Sequence, residues 1–385
     1  MNIERRPLVG GGSFQTVDHL TVSGSQREIG GALAAVAAEI YGWKPVPTAD
    51  RDVSRARRAW FQRHWPQHYE RMAGIADHVG ADLEADAVHL DGIGGIPVGS
   101  ACSALWMPPA STAGGHGLIG RNYDFFTYTA TELFSQMSGE KVDAPDGEAP
   151  LASRPAVVTC LPDEGYASTF ITMNDLSGCM DGINEHGLAV TLLIADAENV
   201  PAPDESAGPQ VGVDSLQAPR YLLDTCRNVD EAKQALLGAK YYDYGSAIHY
   251  LIADASGEAF VWERGSVGDE HIVRAEGAMC VTNYLLHRHP LGSDLPEDNE
   301  ETLRAYERSE RLQTRFEEKA VTGERIREML DDVRFNAGNA GAYPTRTLWR
   351  TVFDTAERTL STHFYKWDDE AGQPVHSEEF TFKAG

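Results

Sequence analysis

The sequence predicts an α+β fold in which sheets carry helices on their outer faces, and three observations predict it. Apolar residues recur at helical spacing from residue 27 to about 90. From residue 100 the pattern changes to alternating and β-branched runs. Helical segments at 297–320 and 323–333 then separate those strands from a closing hairpin.

Taken in order, "REIGGALAAVAAEIYGW" (27–43) and "DVSRARRAWFQRHWPQHYERMAGIADHV" (52–79) place apolar side chains on one helical face, so a helical N-terminal segment is expected. Arg55, Arg57, Arg58 and Arg63 beside Trp60 and Trp65 read as one solvated and one packed helix face. "CSALWM" (102–107), the turn "PPASTAGGHG" and "LIGRNYDFF" (118–126) form a hairpin. "AVVTCLP", "ASTFITM" and "LAVTLLIA" are buried strands of a layered fold. One helix is expected over about 214–238, ending at Gly238, with Pro219 tolerated only near its first turn. "AIHYLIADASGEAFVWER" (247–264) is a hairpin, "HIVRAEGAMCVTN" supplies further strand, and "TLWRTVFDTAERTLSTHF" (347–364) is the last hairpin. The Pro/Asp/Gly-rich stretches at 139–150 and 198–212 read as surface loops.

Composition narrows the function. Thirty-three basic against 58 acidic residues leave a formal charge of −25, which repels phosphate backbones and anionic lipid, so neither nucleic acid nor a membrane is an expected partner. The N-terminus lacks a signal-peptide core and no run of 18 apolar residues occurs, which predicts a cytoplasmic protein. Five scattered cysteines without a CxxC pair fit neither a disulfide framework nor a structural zinc site. Cys160, Cys179, Cys226 and Cys280 read as core-filling residues.

Two motif matches are set aside. "GHGLIG" (115–120) satisfies G-x-G-x-x-G, but a strand follows it where a dinucleotide site needs a helix N-terminus. "HRHP" (287–290) offers two imidazoles without a third ligand in sequence and reads as a surface turn. No cofactor and no metal are therefore expected.

What remains is an ordered constellation: "ACSALWM" at the start of a strand, "GRNYDF" on the next, "MDGINEHGLAV", and "CVTNY". It resembles the choloylglycine hydrolase and penicillin acyltransferase group of N-terminal nucleophile hydrolases. The resemblance extends over most of residues 100–355 and implies a four-layer αββα sandwich. With 101 residues ahead of Cys102, the chain is similar to the acyltransferase branch, whose cysteine is exposed by self-cleavage of a propeptide. Residues 1–101 would then be the propeptide and 102–385 the hydrolase domain, cut between Ala101 and Cys102. The small residues Gly99, Ser100 and Ala101 leave room for the thiol to approach.

The resemblance implies roles for further residues. Cys102 is the nucleophile, with its own freed α-amine, pKa about 8, as base. Arg121 would favour the thiolate, Asp124 would hold the α-amine, and Asn283 would donate to the oxyanion. Arg346 lies near where the family carries a late active-site arginine, with Arg350 as a neighbouring candidate. The position of the bile-salt hydrolases' second oxyanion asparagine holds Ile194, where a backbone N–H is expected to substitute. Asn184 and Glu185 read as structural turn residues. The implied activity is hydrolysis of a small-molecule amide or acyl thioester, water being always available as acceptor, with an amine as the second candidate acceptor. Two other readings are an uncleaved binding or assembly protein and a thiol hydrolase using a Cys/His pair.

Overall fold

The computed structural model describes residues 3–91, 101–173, 176–195, 211–242, 247–265, 268–340 and 343–385. Its strands are β1 (Ile3–Val9), β2 (Val17–Gly24), β3 (Ala101–Met107), β4 (Leu118–Phe126), β5 (Ala156–Pro162), β6 (Ser168–Thr172), β7 (Asp181–Asn184), β8 (Ala189–Ile194), β9 (Ile248–Ala253), β10 (Ala259–Arg264), β11 (Glu270–Arg274), β12 (Met279–Val281), β13 (Thr345–Asp354), β14 (Thr359–Asp368), β15 (Pro374–His376) and β16 (Phe380–Lys383). The helices are α1 (Gln26–Tyr41), α2 (Arg51–His64), α3 (Pro66–Val79), α4 (Ala130–Ser138), α5 (Gln217–Thr225), α6 (Val229–Gly238), α7 (Ala305–Gln313) and α8 (Gly323–Asp331).

Two sheets make the inner layers. One runs β1-β2-β5-β6-β7-β8-β9-β10-β11, the other β12-β3-β4-β13-β14-β15 with β16 also paired to β14. They face one another where β3 meets β8. Helices α1 and α5 cover the outer side of the first sheet, and α7 and α8 cover the outer side of the second. The expected αββα order is therefore present. Because β3 and β4 lie between a sheet and a helix layer, every residue of both is buried.

The N-terminal segment departs from the expectation in one respect. Its helices form as predicted, but they are preceded by two strands, β1 and β2, and β2 lies inside the large sheet, antiparallel to β1 and parallel to β5. The alternating burial of "VDHLTVSG" carries the signal, a period of two that the helical pattern just after it overshadows. Helix α1 starts on a capping box in which Ser25 and Glu28 bond each other's backbone, and ends at Gly42 in the left-handed conformation. Its Gly30 lets α1 approach α3 at backbone contact: a Cβ there would sit 2.2 Å from the carbonyl oxygen of Arg71.

The single helix expected over 214–238 is two. Asn228 leaves helical geometry and caps α6 by accepting from the Glu231 N–H, while Pro219 lies in the first turn of α5, where its missing N–H costs nothing. Helix α7 is shorter than expected, starting at Ala305, because Leu303 and Arg304 adopt positive φ. The 139–150 stretch is an exposed loop after α4, whereas most of the 198–212 stretch lies outside the described residues.

Candidate active site

Pairing of β3 with β4 sets Cys102 opposite Tyr123, Ala104 opposite Arg121, and Ala101 opposite Asp124. Strand alternation then sorts the polar residues of β4. Arg121 points between the sheets, where one guanidinium nitrogen donates to Asp181 Oδ2 at 2.9 Å on β7 and the other to the Leu192 carbonyl at 2.9 Å on β8. Asn122 points to the helix side and donates to the Leu330 carbonyl of α8 at 2.8 Å.

Arg121 is the nearest cation to the thiol. Its Nη2 lies 3.2 Å from Cys102 Sγ, and its guanidinium lies over Tyr123, which stacks on Trp349 at 3.8 Å between ring centroids. Asp181 holds the arginine from below while accepting from Trp349 Nε1 at 2.8 Å and from Thr191 and Thr351. A guanidinium gripped in this way has little freedom to leave the sulfur.

Even so, burial outweighs the arginine. The Cys102 side chain is enclosed, and loss of water pushes its thiol up to about 11; Arg121 opposes this, and Asp124 and Asp181 add to it. The thiol is thus held in its protonated form at neutral pH. Asp124 is buried on the other face of β4, where it accepts from Thr347. Its second oxygen has no hydrogen-bond partner among the described residues. Burial raises its carboxyl to about 6, against the pull of Arg308, Thr347 and Arg121.

Asn283 follows β12 and faces the Ala101–Cys102 junction. Its Oδ1 accepts from the Cys102 backbone N–H at 2.9 Å, and its Nδ2 donates to the Ile194 carbonyl at 2.7 Å. The position expected to offer an N–H thus presents a carbonyl to Asn283, and the next N–H, of Ala195, donates to Ala247 at 2.8 Å.

The residue the sequence reading missed is Arg308. It lies on α7, fully buried, and donates to the Cys102 carbonyl, to Ser103 Oγ at 2.9 Å and to Asn283 Oδ1 at 2.6 Å. Burial lowers it to about 10, with Asp124 opposing, so it keeps its charge near neutrality. A signal was available: Ala305, Arg308, Ser309 and Leu312 fall on one helix face, and an arginine inside an apolar stripe needs a partner.

Arg346 does not join this group. Its Nε and Nη2 both donate to Asp368 Oδ2, at 2.8 and 2.7 Å. Arg350 turns to the helix side, where it donates to Asn122 Oδ1 at 2.8 Å and Asp331 at 2.7 Å. Both are ion-paired away from Cys102, and the arginine that reaches the Cys102 carbonyl is Arg308 of α7. Gly99 and Ser100 lie outside the described residues.

Other expectations can be placed. Cys160, Cys179, Cys226 and Cys280 are buried free thiols. Asn184 closes its turn by donating to the carbonyls of Leu223 and Cys226 and accepting from the N–H groups of His186 and Leu188. Strand β4 begins within "GHGLIG", at Leu118, where a dinucleotide site would need a helix N-terminus. "HRHP" differs from its reading as a plain turn: the fold brings Asp269 and His271 to His287, a grouping no local spacing contains.

A four-layer αββα fold with this site at the head of an inner strand is the architecture of the N-terminal nucleophile hydrolases, a class of amide hydrolases and acyltransferases. Residues 111–367 match the acyl-coenzyme A:6-aminopenicillanic acid acyl-transferase family, and the chain belongs to that family. The matched region begins after Cys102. No curated protein matches the chain significantly. Among solved structures, the chain is similar to a mutant of conjugated bile acid hydrolase from Clostridium perfringens, at 16% identity and TM-score 0.46 over 73% of this chain and 97% of that one. It is also similar to penicillin V acylase from Agrobacterium tumefaciens, at 18% identity and TM-score 0.44 over 68% and 83%. A Caenorhabditis elegans N-acylethanolamine-hydrolyzing acid amidase ortholog aligns at 15% identity and TM-score 0.38 over 66% and 93%. Among the described residues no helix is long and apolar enough to cross a membrane.

Proposed function

We propose that the chain is a self-processing cysteine amidase or acyltransferase whose nucleophile is Cys102. The observation that carries the reading is the clamp on the Ala101–Cys102 junction: Asn283 takes the Cys102 N–H, Arg308 takes its carbonyl, and Arg121 stands 3.2 Å from its sulfur. A buried junction held by two charged side chains and an amide is costly unless its geometry is used.

In processing, Cys102 Sγ gives up its proton and attacks the Ala101 carbonyl carbon. The C–N bond breaks, the nitrogen takes a proton to become the Cys102 α-amine, and Ala101 is left as a thioester. Water then cleaves the thioester, releasing the Ala101 carboxylate and restoring the thiol. The α-amine can now accept the thiol proton, a base that the uncut amide cannot provide. Asp124 would hold the resulting ammonium, a role supported by its oxygen without a partner among the described residues and by its backbone opposite Ala101.

In turnover, the thiolate, favoured by Arg121 beside it, attacks the carbonyl of a small-molecule amide or acyl thioester, and the negative charge passes to the carbonyl oxygen. The leaving group takes a proton from the α-ammonium as the acyl-enzyme forms, and water, or an amine, takes the acyl group. Hydrolysis is the favoured outcome. A Cys/His mechanism finds no support, because no described contact joins a histidine to Cys102. Residues 1–101 are expected to stay bound after cleavage, since β2 is hydrogen-bonded on both sides within the large sheet.

Intact mass under denaturing conditions tests the reading, with Cys102→Ala as control. Two fragments meeting at Ala101/Cys102 in the wild type and one chain in the variant are expected. A wild-type chain that stays whole and unreactive toward amides and acyl thioesters would turn the reading toward a binding protein.

A further inference from the structure

Away from Cys102, three strands of the large sheet place a row of polar residues on one face. Register sets His249 of β9 opposite Glu263 of β10, and Glu263 opposite His271 of β11. The row runs from the interior to the sheet edge: His249 and Glu263 are fully buried, whereas the His271 side chain is 39% exposed. Asp269, just before β11, and His287, in the turn after Asn283, close on the outer end of this row.

The three outer groups converge. One ligand atom from each of Asp269, His271 and His287 lies within 4.8 Å of the others. Asp269 Oδ2 is 3.0 Å from His271 Nε2 and 4.0 Å from His287 Nε2. These separations bracket the roughly 3.3 Å between neighbouring donors on an ion with bonds of about 2 Å. Behind them stands buried Glu263, whose Oε2 meets His287 Nδ1 at 2.8 Å and accepts the His287 backbone N–H at 2.9 Å. A carboxylate on Nδ1 holds that proton there and leaves the Nε2 lone pair outward, the outer-shell arrangement that orients metal-binding histidines.

We propose that Asp269, His271 and His287 form a binding site for one divalent transition-metal ion of the zinc type, with Glu263 as the carboxylate that orients His287. Two imidazoles and one carboxylate select such an ion over calcium or magnesium, which take oxygen donors. Three protein ligands leave a coordination position for water. The histidine rings lie 3.6 Å apart and 13° from parallel, so an ion in the plane of both requires one to turn. His271 is the ring that turns, because it is more exposed and Glu263 holds the other. The bound ion ties the edge strand β11 to the turn that follows Asn283.

The test is zinc competition against a chromophoric chelator, with untagged full-length protein, together with the absorption spectrum of the cobalt(II) form. One equivalent is expected to bind, and His271→Ala or Asp269→Asn should weaken it about tenfold or more. His64→Ala on α2 and Cys102→Ala should bind as the wild type does. Failure to bind one equivalent, or unchanged affinity in both His271→Ala and Asp269→Asn, overturns the proposal. The wild-type cobalt spectrum decides even if a variant does not fold: nitrogen and oxygen coordination without a thiolate charge-transfer band is expected, and a thiolate band would move the ion to a cysteine.

Discussion

Replacing Asp124 by asparagine should stabilise the uncut protein at neutral pH and lose that advantage in acid. The wild-type carboxyl is fully buried with one oxygen unpartnered, and burial lifts it from 3.8 to about 6. Because the folded state binds this proton more tightly than the unfolded chain does, ionisation costs stability as pH rises from about 4 to 6. Below pH 4 both states are protonated and the cost vanishes. A shift of about two units corresponds to about 3 kcal/mol at pH 7 or above. With an unfolding entropy of about 2.1 cal/mol/K per residue, a chain of this length converts that to a rise of roughly 4 °C in Tm. The assay is a melting series from pH 4 to 8 on Asp124→Asn and its parent, both carrying Cys102→Ala so that each remains one chain. The Tm difference should grow across pH 4–6 and level off above. A constant difference, or one that grows toward acid, would refute the account of Asp124 as a carboxylate ionised at the expense of the fold.

Other outcomes follow from the same geometry. With the Cys102 thiol at about 11, the thiolate fraction below that value rises tenfold per pH unit, so self-cleavage followed by denaturing gel should accelerate about tenfold per unit between pH 7 and 9. A flat profile would mean that thiolate attack does not limit cleavage. Arg308→Lys cannot reach the Cys102 carbonyl, Ser103 and Asn283 together, and losing one charge-assisted bond of about 1.5–3 kcal/mol should slow cleavage by about tenfold or more. Arg346→Lys, at a residue paired with Asp368 and its own neighbour's carbonyl rather than with the Cys102 group, should leave the rate within about twofold. Equal effects from the two would return Arg346 to the site. Gly30→Ala drives a methyl to 2.2 Å from the Arg71 carbonyl and should destabilise α1–α3 packing by about 1–3 kcal/mol or more, read as a lower Tm.

The pairing of Cys102, Arg121 and Asp124 was legible in the sequence because they occupy adjacent strands of one hairpin. The connection over 108–117 returns one strand beside the other, and a period of two assigns each side chain to a face. The layered α+β class was legible for a similar reason, since its long helices and buried strands differ in local periodicity. Local pattern says nothing, however, about which distant segment lies alongside. The place of β12 beside β3, which brings Asn283 to the Cys102 N–H, depends on sheet order across nearly the whole domain. The sequence points to Arg346, with Arg350 beside it, whereas the packing of α7 over β3 is what brings Arg308 to the Cys102 carbonyl. The same holds for β2, whose partner β5 is far along the chain, and for His287, whose companions come from β11 and the residues before it. Sequence by itself determined the strand that carries Cys102 and the groups beside it. Tertiary structure decided the arginine, the asparagine's partners and the histidine cluster, because long-range contacts are set by how whole layers bury their apolar faces.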